Sequence, residues 1–299
     1  MSSVNSTRGW KVFNVFNMLF MILFSVIILY PYLNVLAVSL NDNVKSLNIG
    51  LMLWPRSFTL MNFRALLSDK GIIRAVFVTI GRLGIGVPYG VFIVFITSYA
   101  LSKKYLPGRR IIIFLFLIPT YIPAGLIPTY INFARLGLLN NPLVYILPAG
   151  FSLFLFVLLR TYMLGLPDSL EESAKIDGAG DYTIMTKIYM PLCMPIIATL
   201  VLFSLVGHWN DWVTTLYFLP NNRWNTLSYE LRRVLMEQDR IAKLVQDAIM
   251  RGQVAQRSPG TTQGVKNAQI ILTTLPIVLV YPFLQKYFIQ GMLVGGVKE

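Results

Sequence analysis

Residues 172–195 have the sequence ESAKIDGAGDYTIMTKIYMPLCMP and separate two long apolar stretches of the chain. The first half of this segment is polar, and Gly178 and Gly180 lie near its middle. Glycine tolerates the backbone conformations of a sharp reversal, which a Cβ disfavours. We therefore predict that the segment is a helix-turn-helix that stands off a membrane, with its turn at these two glycines.

The residues before the turn predict where the first helix begins. Asp168 as the N-cap and Glu171 three residues later form a capping-box pattern, which would satisfy free amide groups at the helix start. Glu171 and Glu172 also place negative charge in the first turn, where it suits the helix dipole. This helix is expected to end near Asp177.

The residues after the turn predict a second, shorter helix. Asp181 is its expected N-cap, and Ile188 lies near its expected end. Pro191 is then expected to begin the next membrane segment, because proline is tolerated in the first turn of a helix.

The segment resembles the coupling loop of ABC importer permeases, whose pattern is E-A-A, three residues, Gly, nine residues, then Ile-x-Leu-Pro. Two positions depart from it, since Ser173 replaces the second Ala and Met190 stands where Leu is common. The sugar-permease form, with Asp-Gly-Ala in its middle, is also matched. The resemblance implies that the loop docks on a separate ATPase. It assigns this role to Glu171, Glu172, Ser173, Ala174, Asp177, Gly178, Ala179, Ile188 and Pro191.

The composition is typical of a polytopic membrane protein. Apolar residues make up 55% of the chain, charged residues only 13%, and the mean hydropathy is +0.62. Soluble domains carry about 25% charged residues. A single cysteine, Cys193, and a single histidine, His208, exclude an internal disulfide and a metal site built from several such residues. The chain has no P-loop or hydrolase motif, so we predict that it is not an enzyme.

Six apolar segments are long enough to cross a bilayer, which takes about 20 residues each. They are residues 13–36, 75–101, 110–132, 142–164, 191–213 and 268–290. The first segment is longer than the apolar region of a signal peptide, so an uncleaved helix is expected. The predicted fold class is an all-α polytopic membrane protein with six transmembrane helices, and the resemblance implies the type I ABC importer permease fold.

The short loops predict the orientation in the membrane. Residues 102–109 contain three basic residues and no acid, whereas residues 133–141 contain only Arg135. Positive loops face the cytoplasm, so both termini and the coupling loop, residues 165–190, are expected there. The predicted organisation is an N-terminal helix and first external loop (1–74), a transmembrane core (75–290, with an external loop at 214–267) and a tail (291–299). Helical spacing predicts a helix over residues 229–250 of that external loop.

Several residues inside the spans are candidates for the solute path, because charges there are costly and usually face protein or water. The resemblance extends to the end of the fifth span, where sugar permeases often carry a Trp-Asn-Asp-like segment. The candidates are Arg82, His208, Trp209, Asn210, Asp211 and Trp212. Two alternatives stay open: Arg82 could instead extend to the membrane interface, and the other five could form an aromatic belt with polar helix contacts.

Proline and glycine patterns predict two further features. Pro119, Pro123 and Pro128 should kink the third span, because each removes a backbone hydrogen bond. A run of glycines in the second span, Gly84, Gly86 and Gly90, should permit close packing against a neighbour, either within the chain or in a permease dimer.

The leading hypothesis is a permease subunit of an ATP-driven, binding-protein-dependent ABC importer for carbohydrate, and specifically for an oligosaccharide. The C-terminal sequence QGMLVGGVK, residues 290–298, also resembles the tail of sugar permeases. The external loop between Val213 and Lys266 has eight basic and four acidic residues, and this excess of positive charge, together with Arg82, favours an acidic, uronate-containing solute, although a neutral one stays open. The alternatives are an ion-coupled secondary carrier, in which Asp211 would act, and a membrane receptor.

The importer hypothesis implies a set of partners and a location. We expect a second homologous permease, two ATP-binding subunits, an extracytoplasmic solute-binding protein, the carbohydrate and the lipid bilayer, and no nucleic acid. This chain should bind no cofactor, with ATP and Mg held by the partner ATPase. The expected location is the bacterial cytoplasmic (inner) membrane, which the chain would cross several times.

Overall fold

The structure is a computed structural model, and its described residues are 8–42, 53–237 and 261–296. The chain divides into two compact units. One unit comprises residues 1–70 and 234–274, and the other comprises residues 71–233 and 275–299.

The described residues form helices joined by turns. In chain order the helices are α1 (Arg8–Ser39), α2 (Met61–Ser68), α3 (Lys70–Ser102), α4 (Arg109–Tyr121), α5 (Leu126–Arg135), α6 (Leu153–Leu164), α7 (Asp168–Ile176), α8 (Asp181–Ile184), α9 (Met190–Leu192), α10 (Met194–Asn210), α11 (Val213–Phe218), α12 (residues 227–237) and α13 (Thr261–Gly296). Two 3-10 turns, Pro142–Tyr145 and Pro148–Gly150, precede α6, and a π-helical turn, Met185–Tyr189, joins α8 to α9.

Four of the described helical segments are long and apolar enough to cross a membrane, and the number rises to six when each of two bent pairs counts as one span. The single segments are Gly9–Ser39, Lys70–Ser102, Pro142–Leu164 and Gln263–Pro282, and the bent pairs are Arg109–Tyr121 with Leu126–Arg135 and Asp181–Leu192 with Met194–Asn210. The predicted all-α polytopic fold is confirmed. The helix predicted over residues 229–250 is present as α12, and its part beyond residue 237 lies outside the described residues.

The first unit contains α1, which is predominantly apolar after Asn17. Buried amides connect the end of α1 to α2: the Asn62 Nδ2 group donates to the Ser39 carbonyl at 2.9 Å and to the Asn41 carbonyl at 3.1 Å. The Asn41 side chain in turn accepts from the Ser57 amide at 2.9 Å. Because Asn62 is buried, these bonds satisfy polar groups that would otherwise be costly in an apolar setting.

The third span is broken rather than kinked. Helix α4 ends at Tyr121, α5 begins at Leu126, and the two axes differ by 119°. Pro123 lies in the gap, where it cannot continue the helix, and Gly125 has a φ of +82°, which favours glycine. The prediction that the prolines interrupt the third span is therefore confirmed, and the change in helix direction is larger than that of a kinked helix.

The fifth span does not begin where the sequence predicts. Pro191 lies in α9, and the chain bends by 77° before α10 begins at Met194, so Pro191 does not begin the long membrane helix. Pro195, in the first turn of α10, is the proline that the helix start tolerates. Cys193 lies at the bend and is fully buried, as expected of a small packing residue.

The second unit is held together by a core between α3, α6 and the segment from α8 to α10. Its largest fully buried side chains are Phe156, Leu159, Ile184, Leu200 and Val94. The glycines of α3 permit this packing only in part. A Cβ on Gly86 would lie 3.0 Å from the His208 ring and one on Gly90 would lie 3.3 Å from the Ala149 carbonyl, whereas Gly84 faces open space. Close packing is therefore internal at Gly86 and Gly90.

Candidate functional site

The turn at Gly178 is a helix C-terminus closed by two backbone hydrogen bonds. The Gly178 amide donates to the Lys175 carbonyl at 3.1 Å, and the Ala179 amide donates to the Ala174 carbonyl at 2.9 Å. Gly178 has a φ of +78°. This is the Schellman motif, in which glycine at the left-handed position ends the helix. Ala174 and Ala179 both pack against the core, so the alanines of the motif fix the turn to the rest of the unit.

The predicted capping box is absent. Helix α7 begins at Asp168, and the residue before it is Pro167, which has no side-chain acceptor. Asp168 Oδ2 instead accepts from Lys104 Nζ at 2.7 Å, and Glu171 Oε2 accepts from Lys103 Nζ at 2.5 Å. Both carboxylates therefore form ion pairs with lysines that follow α3 and do not cap α7.

The predicted cap of the second helix is also wrong. Gly180 is the N-cap of α8, and no side chain caps it. Asp181 Oδ1 accepts from the Tyr105 hydroxyl at 3.0 Å, and the Asp181 carbonyl accepts from the Tyr99 hydroxyl at 3.1 Å. Asp181 thus attaches the segment to the end of α3 and the loop after it.

The coupling-loop residues separate into an exposed and an inward group. The exposed group comprises Glu172, Ser173, Asp177, Gly178 and Pro191, and the inward group comprises Glu171, Ala174, Ala179 and Ile188. Two large apolar side chains on either side of the turn are also exposed, Ile176 at 86% and Tyr182 at 76%. The segment therefore presents a mixed polar and apolar surface around Gly178.

A buried lysine joins α3 to α7. Lys103 Nζ lies 4.1 Å from the ring centre of Tyr99 and 3.8 Å from that of Tyr189, in addition to its ion pair with Glu171. Glu171 also accepts from Lys175 Nζ at 2.7 Å and from the Tyr189 hydroxyl at 3.1 Å. We call Tyr99, Lys103, Glu171, Lys175 and Tyr189 the Lys103 clamp.

The electrostatics of the clamp favour a carboxylate at Glu171. Burial raises the pKa of Glu171, but hydrogen bonds from Lys103 and Lys175 outweigh it and lower the pKa to about 2. Burial lowers the pKa of Lys103, and the hydrogen bond to Glu171 opposes that shift. The lysine side chain is 6% exposed and the glutamate side chain 14%, so solvent screens this pair far less than a surface pair.

Lys103 is a candidate functional residue that the sequence did not predict. In the sequence it is one of the three basic residues within 102–109 that predict the orientation. No spacing rule connects Lys103 to Glu171, which lies 68 residues away. The one sequence signal is chemical: a lysine directly after a long apolar helix, four residues after Tyr99, is a position where an aromatic ring can hold a cation.

Arg82, His208 and Asp211 come together inside the second unit. Arg82 donates from Nε to His208 Nδ1 at 3.1 Å, from one terminal nitrogen to the Asp211 carbonyl at 3.1 Å, and from the other to Asp211 Oδ2 at 2.5 Å. The guanidinium also lies 4.4 Å from the ring centre of Tyr145. Its positive charge is therefore matched by partners within the chain. The predicted alternative, in which Arg82 extends to the interface, is not what the structure has, because Arg82 is buried.

The other candidates in the fifth span face different surroundings. Trp209 lines a cavity of about 110 Å³ with Leu83, Leu205 and Pro276. Trp212 lies 5.0 Å from the guanidinium of Arg232, and Asn210 is exposed. The six candidates thus do not line one surface, and the role of each in a solute path stays a prediction.

A second cavity adjoins the Arg82 cluster and has a volume of about 530 Å³. Its polar lining comes from Arg82, His208, Asp211, Ser152 and Ser204. Three phenylalanines, Phe151, Phe154 and Phe203, also line it, with Ala149, Leu155 and Gly207. Polar groups beside aromatic rings are the chemistry that a sugar requires, because hydroxyls form hydrogen bonds while the apolar ring face packs on an aromatic side chain. The serines were not among the predicted residues.

Comparison with known proteins places the chain in a family. The family model described as "Binding-protein-dependent transport system inner membrane component" matches residues 5–294, and the chain belongs to this family. Protein LplC of Bacillus subtilis (strain 168) is 33% identical over 99% of this chain and 98% of its own length. The polygalacturonan/rhamnogalacturonan transport system permease protein YtcP of the same organism is 33% identical over 93% of this chain and 96% of its own length.

A solved structure has the same fold. It is a chain from a bacterial ABC transporter involved in the import of the acidic polysaccharide alginate, with 26% identity and a TM-score of 0.83 over 96% of this chain and 100% of that chain. The protein is thus a sugar ABC importer permease that crosses the inner membrane several times and serves a binding-protein-dependent system. Family membership favours this reading over the ion-coupled carrier and the receptor.

Proposed function

We propose that this chain forms half of the translocation path of an importer for acidic, uronate-containing oligosaccharides. A second homologous permease supplies the other half, and a solute-binding protein delivers the oligosaccharide. Two ATP-binding subunits hold ATP and Mg, and one of them docks on the segment from α7 to α9. ATP binding draws the docked segments together and opens the path outward, and hydrolysis resets it.

The proposal of an acidic substrate rests on the chemistry shared by the substrates of a relative and of a solved structure. The substrates of the YtcP relative and of the alginate transporter, polygalacturonan/rhamnogalacturonan and alginate, both contain uronic acids. Charge in this chain agrees, since its net charge is +13 and Arg74, Arg223 and Arg232 are exposed. Arg82 does not supply a free cation, because Asp211 neutralises it.

Docking on the ATPase is supported by the surface around Gly178. Ile176 and Tyr182 are exposed apolar side chains beside polar Glu172, and interfaces combine a small apolar centre with a polar rim. The positive loop between α3 and α4 supports a cytoplasmic position for this surface, on the side where ATP is available. Both termini then lie on the cytoplasmic side.

The substrate is tested by transport into proteoliposomes that contain the complete importer and its binding protein. Oligogalacturonate and its methyl ester have the same chain length and differ in charge. We expect uptake of the acid at a rate at least about tenfold above the ester, because one hydrogen bond to a charged group contributes about 1.5–3 kcal/mol. Equal rates, or a preference for the ester, would exclude an acidic substrate while leaving the importer function intact.

The docking surface is tested by copurification from native membranes. A tagged wild-type chain should recover an ATPase and a second permease. Replacement of Glu172 and Gly178 should lose the ATPase and keep the permease, because only the docking segment is altered. Recovery of the wild-type chain alone would contradict the importer assembly.

The solute path is tested by thiol labelling at the 530 Å³ cavity. Cys193 is the chain's single cysteine and is fully buried, so the wild type should not react and serves as the control. A Ser204→Cys variant should react with a water-soluble maleimide, and bound solute should slow the reaction. Reaction at the same rate with and without solute would remove this cavity from the path.

A further inference from the structure

We propose that Lys103 is the positioning residue that makes α3 move together with the coupling helix α7. This inference rests on the proposed docking of α7 on an ATPase. A docked helix can transmit movement to the membrane helices only if its contacts with them persist when the helix is displaced. The Lys103 clamp is that attachment.

The geometry of the clamp shows why Lys103, rather than the surrounding contacts, attaches α7 to α3. Lys103 directly follows the last residue of α3, and its ammonium group contacts α7 through Glu171 and the π-helical turn through Tyr189. One charged group therefore joins three elements. Cation–π contacts strengthen when water is excluded, and Lys103 has two of them.

The position of Glu171 separates it from the exposed glutamate beside it. Glu172 is exposed and free to face a partner, whereas Glu171 is turned inward and accepts three hydrogen bonds from within the chain. The two adjacent glutamates therefore have different roles: Glu172 belongs to the docking surface, and Glu171 belongs to the attachment of α7.

Helix α3 extends the clamp into the membrane. The same helix carries Arg82, which is paired with Asp211 where α10 ends. At about 1.5 Å per residue, Lys103 and Arg82 lie roughly 30 Å apart along the helix. A displacement of α7 is thus passed through Lys103 to α3, and through α3 to the ion pair beside the 530 Å³ cavity. Contiguous packed contacts of this kind can carry coupling between distant sites.

The neighbouring pair of Lys104 and Asp168 provides a matched control. It also joins the end of α3 to α7, and its atoms lie 2.7 Å apart. Its side chains are 74% and 71% exposed, however, so the pair is solvated and contributes little. If any ion pair between these elements sufficed, both lysines would matter. The proposal requires that only Lys103 does.

The test measures solute imported per ATP hydrolysed by the complete importer in proteoliposomes. We expect Lys103→Met to lower this ratio by about tenfold, within the usual range of coupling between sites. Lys103→Arg should stay within about threefold of the wild type, because a guanidinium keeps the charge and stacks on tyrosine. The cavity of about 180 Å³ beside Lys103 leaves room for it. Lys104→Met should match the wild type.

Each other outcome would overturn the proposal. A wild-type ratio in Lys103→Met would show that α3 and α7 move together without the charge, and equal losses in Lys103→Met and Lys103→Arg would show that only packing matters. If Lys103→Met fails to assemble, Glu171→Gln is measured in its place, and a wild-type ratio there counts against the clamp. Absence of an ATPase from the wild-type complex would instead contradict the proposed function, before any variant is compared.

Discussion

Arg82 and Asp211 form an ion pair in which the nitrogen and oxygen atoms lie 2.5 Å apart, and it joins the interior of α3 to the residue that follows α10. The Arg82 side chain is 4% exposed and the Asp211 side chain 24%. Asp211 also accepts from the amide and the hydroxyl of Thr214, so its carboxylate fixes the start of α11 as well. The charge that the sequence marks as a candidate for solute binding is thus a structural link between three helices.

Removal of Arg82 should therefore destabilise the protein. Arg82→Met leaves the partly exposed Asp211 carboxylate with Thr214 alone. Breaking one side of a fully buried pair costs about 3–5 kcal/mol, and the partial exposure of Asp211 lowers the expected cost below that range. The expected result is a clear fall in the melting temperature of the detergent-solubilised chain. Adding Asp211→Asn to Arg82→Met should recover part of the loss, because the unpaired charge is then removed as well.

Arg74→Met is the matched control for this prediction. Arg74 lies on the same helix and is exposed, so its replacement should change the free energy of unfolding by no more than about 0.5 kcal/mol. A similar fall in melting temperature for both variants would show that replacing either arginine of α3 destabilises the protein, whether or not it pairs with Asp211.

Gly86 should be intolerant of a side chain because His208 occupies the space beside it. A Cβ at Gly86 would lie 3.0 Å from His208 Cε1 and would push the ring away from Arg82. Overpacking of this kind costs about 1–3 kcal/mol. Gly84→Ala, on the same helix and facing open space, should be neutral or slightly stabilising. Thermal unfolding of the two variants checks this, and equal melting temperatures would contradict the close approach of His208.

The parts of the fold that depend only on hydrophobicity were predictable from the sequence. Six apolar segments of spanning length predicted the order of the membrane segments, and the prolines predicted the interruption of the third. The exact breaks were not predictable. The fifth span bends at Cys193 rather than beginning at Pro191, because the position of a bend depends on which side chains the core can bury, and that is a tertiary property.

Features of the candidate site that depend on local backbone conformation were predictable from the sequence. Features that depend on contacts between side chains distant in the sequence were not. Gly178 was correctly placed at the turn, since a left-handed φ favours glycine irrespective of the rest of the fold. The capping roles of Asp168 and Glu171 were predicted wrongly. Local rules assign both to the helix start, but Glu171 accepts from the buried Lys103 and Asp168 from the exposed Lys104, and neither lysine is near them in the sequence.

The two glycines of the turn should differ in their tolerance of alanine. Gly178 has a φ of +78°, where an L-residue costs about 1–2 kcal/mol, whereas Gly180 has a φ of −75° and open space around its Cα. Gly178→Ala should lower solute uptake and recovery of the ATPase, and Gly180→Ala should leave both near wild-type values. Uptake and copurification measured on the same membranes check this. Equal losses would mean that the turn needs flexibility at both glycines rather than a left-handed residue at one.

The stabilising effect of Glu171 should depend on pH in a defined window. The pKa of its carboxyl group is about 2 in the folded chain against an ordinary value of 4.5, although burial alone would raise it. A group whose folded pKa is lowered contributes stability that is fully present above its unfolded pKa and is lost as the pH falls through its folded pKa. The difference in melting temperature between the wild type and Glu171→Gln should therefore be constant from pH 7 to about 5.

The same difference should shrink as the pH falls from about 4.5 towards 2, because the carboxylate becomes protonated in both states and the ion pair with Lys103 is lost. Melting curves in detergent at pH 7, 5 and 3 measure it. Asp168→Asn is the control, since its pair with Lys104 is exposed on both sides and should affect the melting temperature little at any of the three values. A difference that shrinks already between pH 7 and 5 would mean that Lys103 does not hold Glu171 ionised, and that the clamp is weaker than its geometry indicates.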